Sequence, residues 1–166
     1  HPFCTRSYLE DVVMKRIEEG MAKTGRSRET FEITGGGFVA TGETDEEVDK
    51  IAEWVRYRIA FYGSTPSYWP VFEHHGHGDL GRKLNKMTKE GKWDQIAAEI
   101  PDDVLHDFAA IARYDQLQTA VEKRFGGAAD AIYASTSQDI RPAIPAEVLQ
   151  DMARIPTAFQ GFSKLW

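Results

Sequence analysis

The sequence predicts a helix-rich α/β segment that forms part of a larger parallel sheet. Amphipathic helical patterns fill most of the chain, and two stretches, residues 31–41 and 131–135, have the composition of strands. Because helices lie between these strands, we expect the strands to be parallel, and parallel sheets are covered on both faces. Two strands do not make a stable sheet. Further strands must therefore come from another chain, from a partner half, or from a misassigned segment such as residues 108–112.

The chain opens with an amphipathic helix that we predict over residues 7–24. Ser7 and Glu10 have the spacing of a capping box, in which two side chains satisfy backbone amides at a helix start. Gly25 then follows as a residue type that commonly ends a helix. The apolar residues that recur at helical spacing are Leu9, Val12, Val13, Ile17 and Met21.

A glycine-containing strand and a second helix come next. Residues 31–41 (FEITGGGFVAT) combine β-branched and aromatic residues with three glycines. Thr44 and Glu47 form a second capping box, and an apolar face continues from there to Gly63, where we predict the helix end. Pro66 indicates a further helix start, because proline is favoured at the first helical position.

The rest of the chain is predicted as short helices around one strand, residues 131–135. Asp79 is expected to cap a helix that ends at Gly91, and Asp115 to open one that ends at residues 126–127. We interpret residues 1–166 as a single segment. Its other predicted parts are helices near residues 93–100 and 104–108, and a terminal loop and helix over residues 138–166, in which the helix covers residues 146–155.

The composition is acidic and excludes several classes of function. Twenty basic residues against 26 acidic ones leave a net charge of −6 and a pI near 5.4. Nucleic acid and anionic lipid both require a basic face, so we expect neither as a partner. The longest uncharged stretch, residues 59–72, is too short and too polar to span a membrane. Cys4 is the single cysteine, which is typical of a reducing, cytoplasmic compartment.

The densest cluster of metal-capable side chains lies in one turn. His74, His75, His77 and Asp79 fall within six residues, and imidazole and carboxylate are ligands of zinc and iron. Adjacent residues on a short turn rarely converge on one ion, and histidines also suit the negative end of a helix dipole. We therefore predict no metal site, and a metal-binding protein centred on this turn is the third of three hypotheses.

The glycines of the first strand resemble a dinucleotide-binding fingerprint only in spacing. Gly35, Gly37 and Ala40 match its pattern, but the mechanism requires a helix to open at the glycines. Here residues 38–41 continue as a strand and the helix begins after Thr44. We therefore interpret the glycines as a bulge or as a place where another part of the chain approaches closely.

Four stretches occur in a recognisable order. They are HPFCTRSYLEDVV, FEITGGGFVATG, RYRIAFYGSTPSYWPVFEHHGHGDLGRKLNKMTKEGKWDQIAAEI and GGAADAIYAS. Together they resemble the luciferase-like monooxygenase superfamily over residues 1–137, and IAFYGSTP followed by HGHGDLG is the most specific part. Within that superfamily the chain is similar to oxidoreductases that use the deazaflavin coenzyme F-420 rather than FMN.

The resemblance implies a (β/α)8 TIM-type barrel, of which this chain is the C-terminal part. The early strands would belong to a missing N-terminal half, and the chain would start just after a barrel strand. Active sites of such barrels lie at the carboxyl ends of the strands. The segments expected at that mouth are residues 1–6, 39–42 and 135–137, with the aromatic segment 58–68 nearby.

The chemistry that the resemblance implies is hydride transfer to or from a small-molecule substrate, with coenzyme F-420 or FMN carrying the organic step. We expect His1 and Tyr62 to be catalytic, as donors of hydrogen bonds or protons. Arg6 is expected to hold a phosphate or a substrate anion. The residues expected to bind the cofactor are Thr5, Arg6, Thr41, Ser64, Tyr68 and Ser135.

Two positions depart from the family pattern. His77 stands where Trp is common, and residues 112–114 stand where a Gly-Thr pair usually precedes the helix. The second change weakens any phosphate contact at that helix start. For the aromatic segment 58–68, a helix–helix corner packed by aromatic rings explains the same composition without a ligand.

A second hypothesis belongs to a different class of function. A half-barrel that has lost catalysis would survive as a self-associating module, because exposed strand edges pair readily. The partner would then be a second copy in a homo-oligomer, instead of the missing N-terminal half of an enzyme.

Overall fold

The described strands form one parallel sheet. A computed structural model of the chain describes residues 1, 3–134 and 143–161. Within them the strands are β1 (Thr34–Ala40), β2 (Ala109–Ile111) and β3 (Ala131–Ala134), in the order β2-β1-β3. Phe38 pairs with Ala109, and Thr34 pairs with Ala131. The structure confirms a helix-rich α/β fold with few, parallel strands, and it confirms that the segment 108–112 contains a strand.

The strand order is not that of consecutive barrel strands. In a (β/α)8 barrel each strand lies beside the next one along the chain. Here β1 lies between the other two, so the chain passes over β1 on its way from β2 to β3. Three strands cannot close a barrel, and the sheet in the described part of the chain is open. The barrel therefore stays a prediction for a longer protein.

The first helix is longer at its start than predicted. It consists of α1 (Arg6–Tyr8), a π-helical segment (Leu9–Val13) and α2 (Met14–Thr24), which we call together the N-terminal helical run. Thr5, not Ser7, is the N-cap, because its Oγ1 accepts a hydrogen bond from the Tyr8 amide at 3.2 Å. Gly25 ends the run in the left-handed region, with φ of 67°, as expected.

The helix after β1 begins where the sequence predicts. Thr44 caps α3 (Asp45–Gly63) by accepting from the Glu47 amide at 3.3 Å. Helix α5 (Gly78–Lys89) starts one residue before Asp79, so Asp79 lies in its first turn and does not cap it. The other helices are α4 (Trp69–His74), α6 (Asp102–Phe108), α7 (Leu117–Phe125) and α8 (Ala146–Met152), and 3-10 turns cover Arg28–Thr30, Pro66–Tyr68, Ile96–Glu99 and Tyr114–Gln116.

Both faces of the sheet are covered. Phe38 and Ala40 point into a core built with α3 to α6, and Val39 points into a smaller core with α7 and α8. The glycines of β1 allow this second face to pack closely, because a Cβ on Gly37 would lie 2.2 Å from the Phe125 ring and one on Gly35 would lie 2.7 Å from the Ala129 Cβ. The close-approach interpretation therefore holds, with side chains as the approaching groups. None of the described helices has the length and apolar character needed to cross a membrane.

Candidate functional site

The predicted site residues do not share one end of the sheet. Helix α3 starts after the carboxyl end of β1, and its 19 residues, about 28 Å long, carry the chain back toward the amino end. The 3-10 turn with Tyr68 therefore lies beside residues 33–36. Together with His1 and Tyr68, these residues line a cavity of about 460 Å³, which we call the aromatic cavity. Thr41 follows the opposite end of β1. The aromatic segment is thus not at the strand end that Thr41 marks, because a helix after a strand returns the chain.

His1, Tyr62 and Tyr68 form one aromatic cluster. The His1 ring stacks on Tyr68 with centroids 4.7 Å apart and meets Tyr62 edge-on at 5.1 Å. Phe3 packs beneath both tyrosines and reaches the buried Phe72. His1 and Tyr68 line the cavity, whereas Tyr62 lies behind them. Tyr62 therefore positions the His1 ring and does not itself face the cavity.

The hydrogen bonds of this cluster leave one proton donor available. The Phe3 amide donates to His1 Nδ1 at 3.2 Å, so a neutral His1 carries its proton on Nε2. His1 Nε2 then donates to the Tyr68 hydroxyl oxygen at 2.9 Å. The hydroxyl hydrogen of Tyr68 is not consumed by this bond and can be donated to a ligand in the cavity. We assign this tautomer from the bonding pattern.

Arg58 orients Tyr62; it begins the aromatic segment 58–68, but no role of its own was predicted for it from the sequence. Its Nη2 donates to the Tyr62 hydroxyl at 2.7 Å. Its guanidinium lies over the rings of Trp54, Phe61 and Tyr62, at 5.6, 5.2 and 4.9 Å from their centroids. Such cation–π contacts fix both the arginine and the rings that hold it. The signal that could have found Arg58 is its helical spacing of four from both Trp54 and Tyr62.

Thr5 and Arg6 line a different cavity. The Thr5 hydroxyl lies 2.7 Å from His75 Nε2, and His75 Nδ1 lies 3.4 Å from Asp107 Oδ2. Arg6 Nε pairs with Glu10 at 2.8 Å, and its Nη1 donates to the Lys123 carbonyl at 2.9 Å. Burial lowers the pKa of His75, with Asp107 opposing that effect, so His75 is neutral at pH 7.

The remaining predicted site residues are either buried or lie outside the described residues. Ser64 is buried and donates to the Phe61 carbonyl at 2.7 Å. Thr41 is 0% exposed, and its hydroxyl has no hydrogen-bond partner among the described residues. Neither residue lines either of the two cavities, so their predicted contact with a cofactor stays a prediction. Ser135 lies outside the described residues.

The histidine turn does not gather its side chains around one point. His74 Nε2 lies 3.4 Å from Asp11, while His75 is directed toward Thr5 and Asp107. Across residues 1, 3–134 and 143–161, no group of three or more His, Cys, Asp or Glu side chains has the geometry to hold a metal ion.

Cys4 lies between the two cavities. Its thiol borders the aromatic cavity, and its backbone carbonyl accepts from Arg124. Burial raises the pKa of the thiol, and the nearby Arg124 charge only partly offsets this. A neutral thiol is a weak nucleophile, so we give Cys4 no catalytic role.

Several longer proteins are similar in sequence to this chain. Rv1360 of Mycobacterium tuberculosis, an uncharacterized protein, is 36% identical over 157 residues, which are 93% of this chain and 45% of the relative. The 5,10-methylenetetrahydromethanopterin reductase of Archaeoglobus fulgidus is 28% identical over 106 residues, 60% of this chain and 30% of that protein. The putative coenzyme F420-dependent oxidoreductase Rv3520c of M. tuberculosis is 25% identical over 134 residues, 75% of this chain and 38% of its own. No solved structure is significantly similar to the chain.

The chain spans about half the length of the uncharacterized mycobacterial relatives that it matches. The profile of the luciferase-like monooxygenase family matches residues 6–131, which include the N-terminal helical run, β1, α3 to α7 and β2. This match extends over most of the described fold and contains most of the residues that line the two cavities, but not His1, Phe3, Cys4 or Thr5. The chain therefore belongs to the luciferase-like monooxygenase family.

Proposed function

We propose that this chain is the C-terminal part of a (β/α)8-barrel oxidoreductase that transfers a hydride between a small molecule and coenzyme F-420 or FMN. The observation that carries the proposal is the family match over residues 6–131. One relative, named a putative coenzyme F420-dependent oxidoreductase, supports the deazaflavin, and another, named a 5,10-methylenetetrahydromethanopterin reductase, supports an oxidoreductase. The coverage of 45% of longer relatives supports a second half that supplies the early strands.

The aromatic cavity fits a planar ring system. Its volume of about 460 Å³ lies in the range of ligand sites, and its wall is mostly apolar, with Phe3, Leu9 and Val71 among the lining residues. A flavin or deazaflavin ring needs such a wall for its face and a few hydrogen-bond donors for its edge. His1 and Tyr68 are the residues of this chain that would hold it. When bound, the ring supplies the hydride-accepting centre.

The protein's own contribution is orientation and proton donation. Tyr68 donates its free hydroxyl hydrogen into the cavity, and His1 fixes the phenol by donating to its oxygen. Tyr62 packs edge-on against the His1 ring, and Arg58 in turn donates a hydrogen bond to the Tyr62 hydroxyl. Tyr68 therefore replaces Tyr62 as the phenol that contacts the ligand, and His1 acts through Tyr68.

A binding titration tests this proposal. The chain is titrated with coenzyme F-420 and, separately, with FMN, alone and after co-expression with the upstream half of the same protein. We expect fluorescence quenching of one cofactor, stronger when the upstream half is present, and loss of that affinity in the Tyr68→Phe variant. Absence of quenching for both cofactors in the joined protein would contradict the function.

A self-associating module is the second candidate, and the open sheet favours it. β2 is hydrogen-bonded to β1 on one edge, and no described strand pairs with its other edge. Exposed edges of this kind recruit other strands. Native mass spectrometry distinguishes the candidates, because a dimer without cofactor supports the module, and a one-to-one complex with the upstream half supports the enzyme.

A further inference from the structure

The second cavity is lined by a buried arginine that forms no ion pair among the described residues. This cavity, about 640 Å³, lies between the start of the N-terminal helical run, the turn after α4, the end of α6, β2 and α7. Arg124 lines it and is only 8% exposed. Its Nη2 donates to the Cys4 carbonyl, and Arg124 forms no ion pair with a carboxylate in the described part of the chain, although Asp107 in the same lining interacts with it at longer range. A buried charge without a partner is costly, so such a group in a cavity wall indicates an anionic ligand.

The neighbouring charges leave the cavity electropositive. Arg6 is neutralised by Glu10, and Asp107 faces His75. Lys123, next to Arg124 at the end of α7, has no acidic side chain within ion-pair distance among the described residues. The lining of this cavity carries three cations, Arg6, Lys123 and Arg124, against two carboxylates, Glu10 and Asp107, so it has an excess positive charge in a protein whose net charge is −6. Burial also lowers the pKa of Arg124 to about 10, which an anion in the cavity would oppose.

The two hydroxyl groups beside His75 leave one hydrogen-bond donor free for a ligand. His75 Nδ1 faces Asp107, so the neutral ring carries its proton there and offers one lone pair on Nε2. Thr5 Oγ1 at 2.7 Å and Ser7 Oγ at 3.2 Å both point to that nitrogen. Only one hydroxyl can donate to one lone pair. The shorter distance assigns it to Thr5, which leaves the Ser7 hydrogen free for a ligand.

We propose that this cavity binds a phosphoryl group, with Arg124, Lys123 and Ser7 as its ligands. A tetrahedral oxyanion accepts several hydrogen bonds at once and is the anion for which a guanidinium, an ammonium and a hydroxyl are suited. The site is separate from the aromatic cavity and does not depend on which cofactor that cavity takes. The phosphoryl group has two sources, the phosphate of the cofactor or that of a phosphorylated substrate.

Calorimetric titration of the full chain with inorganic phosphate, at constant ionic strength, tests the site. We expect saturable binding that Lys123→Gln and Ser7→Ala each weaken by about tenfold, since each removes one bond to a charged group. The matched control is Lys89→Gln, which removes an exposed lysine from the last turn of α5 and should bind as the parent does. Arg124→Lys keeps the charge and loses the fork, and we expect a larger loss from it.

The phosphate titration remains decisive even if the Arg124→Lys variant does not fold, because two other variants test the same site. Lys123→Gln and Ser7→Ala change accessible groups, and circular dichroism verifies their folding. Absence of saturable phosphate binding, or parent-like affinity in both variants, overturns the proposal. Competition by FMN but not riboflavin assigns the phosphoryl group to a cofactor, whereas competition by phenyl phosphate alone assigns it to a substrate. Either result upholds the site.

Discussion

Asp130 links three segments that are far apart in the sequence. Its Oδ2 pairs with Arg28 Nη1 at 2.7 Å and accepts from the Ile33 amide at 2.7 Å. Its Oδ1 accepts from the amides of Ala158 and Phe159, at 3.1 and 3.0 Å. The carboxylate therefore ties the start of β1 and the start of β3 to the chain after α8. No motif predicted this role, because each partner lies in a different part of the chain.

Asp130→Asn should destabilise the fold by about 3 kcal/mol, because it leaves Arg28 and several amides without a carboxylate partner. Denaturant unfolding measures this difference. Asp151→Asn is the matched control, since Asp151 pairs with Arg154 on the surface, and its loss should cost less than about 1 kcal/mol. Equal effects of the two changes would contradict the assignment of Asp130 as a link.

The same carboxylate predicts a pH dependence. Burial tends to raise the pKa of Asp130, but the bonds from Arg28 and from the Ile33 and Phe159 amides outweigh it, so the pKa is lowered. A lowered folded-state pKa stabilises the fold above the unfolded-state pKa of about 4, and this contribution is lost as pH falls through the folded-state value. The stability difference between parent and Asp130→Asn should thus persist at pH 5 to 7 and shrink below about pH 4. A difference that stays constant down to pH 2 contradicts this.

Variants of Tyr68 and Thr41 distinguish two locations for the reaction, the aromatic cavity and the carboxyl ends of the strands. Tyr68→Phe removes the free hydroxyl of the aromatic cavity and should lower kcat/KM of the joined enzyme by about tenfold. Thr41→Val keeps the shape of an enclosed side chain and should leave kcat/KM close to the parent value. Steady-state kinetics with both variants checks this. The reverse pattern would place the reaction at the carboxyl ends of the strands instead.

At the scale of the element, glycine in α3 is required by packing. A Cβ on Gly63 would lie 2.3 Å from the ring of Phe72, which is fully buried. Gly20, in α2, has no atom within 4 Å of the same position. Helix α3 ends at Gly63 without a left-handed residue, so the glycine is there for the close approach of α4 and not for the turn.

Gly63→Ala should therefore destabilise the fold by about 1–3 kcal/mol through overpacking against Phe72. Gly20→Ala should stabilise it by about 0.5–1 kcal/mol, because alanine is the better helix former at an open position. Thermal unfolding of the two variants measures both signs in the same protein. Destabilisation by both changes would show that helix propensity does not explain the Gly20 position.

At the scale of the whole molecule, part of the apolar face of the N-terminal helical run remains accessible. Leu9 and Met21 are its buried residues, whereas Val13 and Ile17 border the aromatic cavity. An amphipathic face that remains partly accessible gains stability when another element covers it. The upstream half of a barrel would provide such an element.

Hydrogen exchange tests this at the level of the assembly. Addition of the upstream half should slow amide exchange in residues 9–21, while α3, whose apolar face is already buried, should change little. Slower exchange on self-association alone, at rising concentration of this chain, would favour the non-catalytic module. Unchanged exchange in both experiments would indicate that neither partner covers this face.

The sequence alone determined where most of the helices and strands lie and how their apolar residues are spaced. Capping at Thr44, the left-handed Gly25 and the helical spacing of apolar residues depend on neighbours within one turn, so they are readable locally. Family membership is likewise readable, because motifs such as IAFYGSTP are contiguous. Helix starts at Thr5 and Gly78 were misplaced, since several adjacent polar residues suit an N-cap and packing selects among them.

Only the tertiary structure decided which side chains meet. In the structure β1 lies between β2 and β3, and Thr41 and Tyr68 lie at opposite ends of β1. Tyr62 contacts His1 but does not line the aromatic cavity. It also joined Arg124 to Cys4 and Asp130 to Phe159, pairs that no local pattern connects. The physical reason is that burial, ion pairing and hydrogen bonding act over a few ångströms in space. Residues at such distances are often more than a hundred positions apart along the chain.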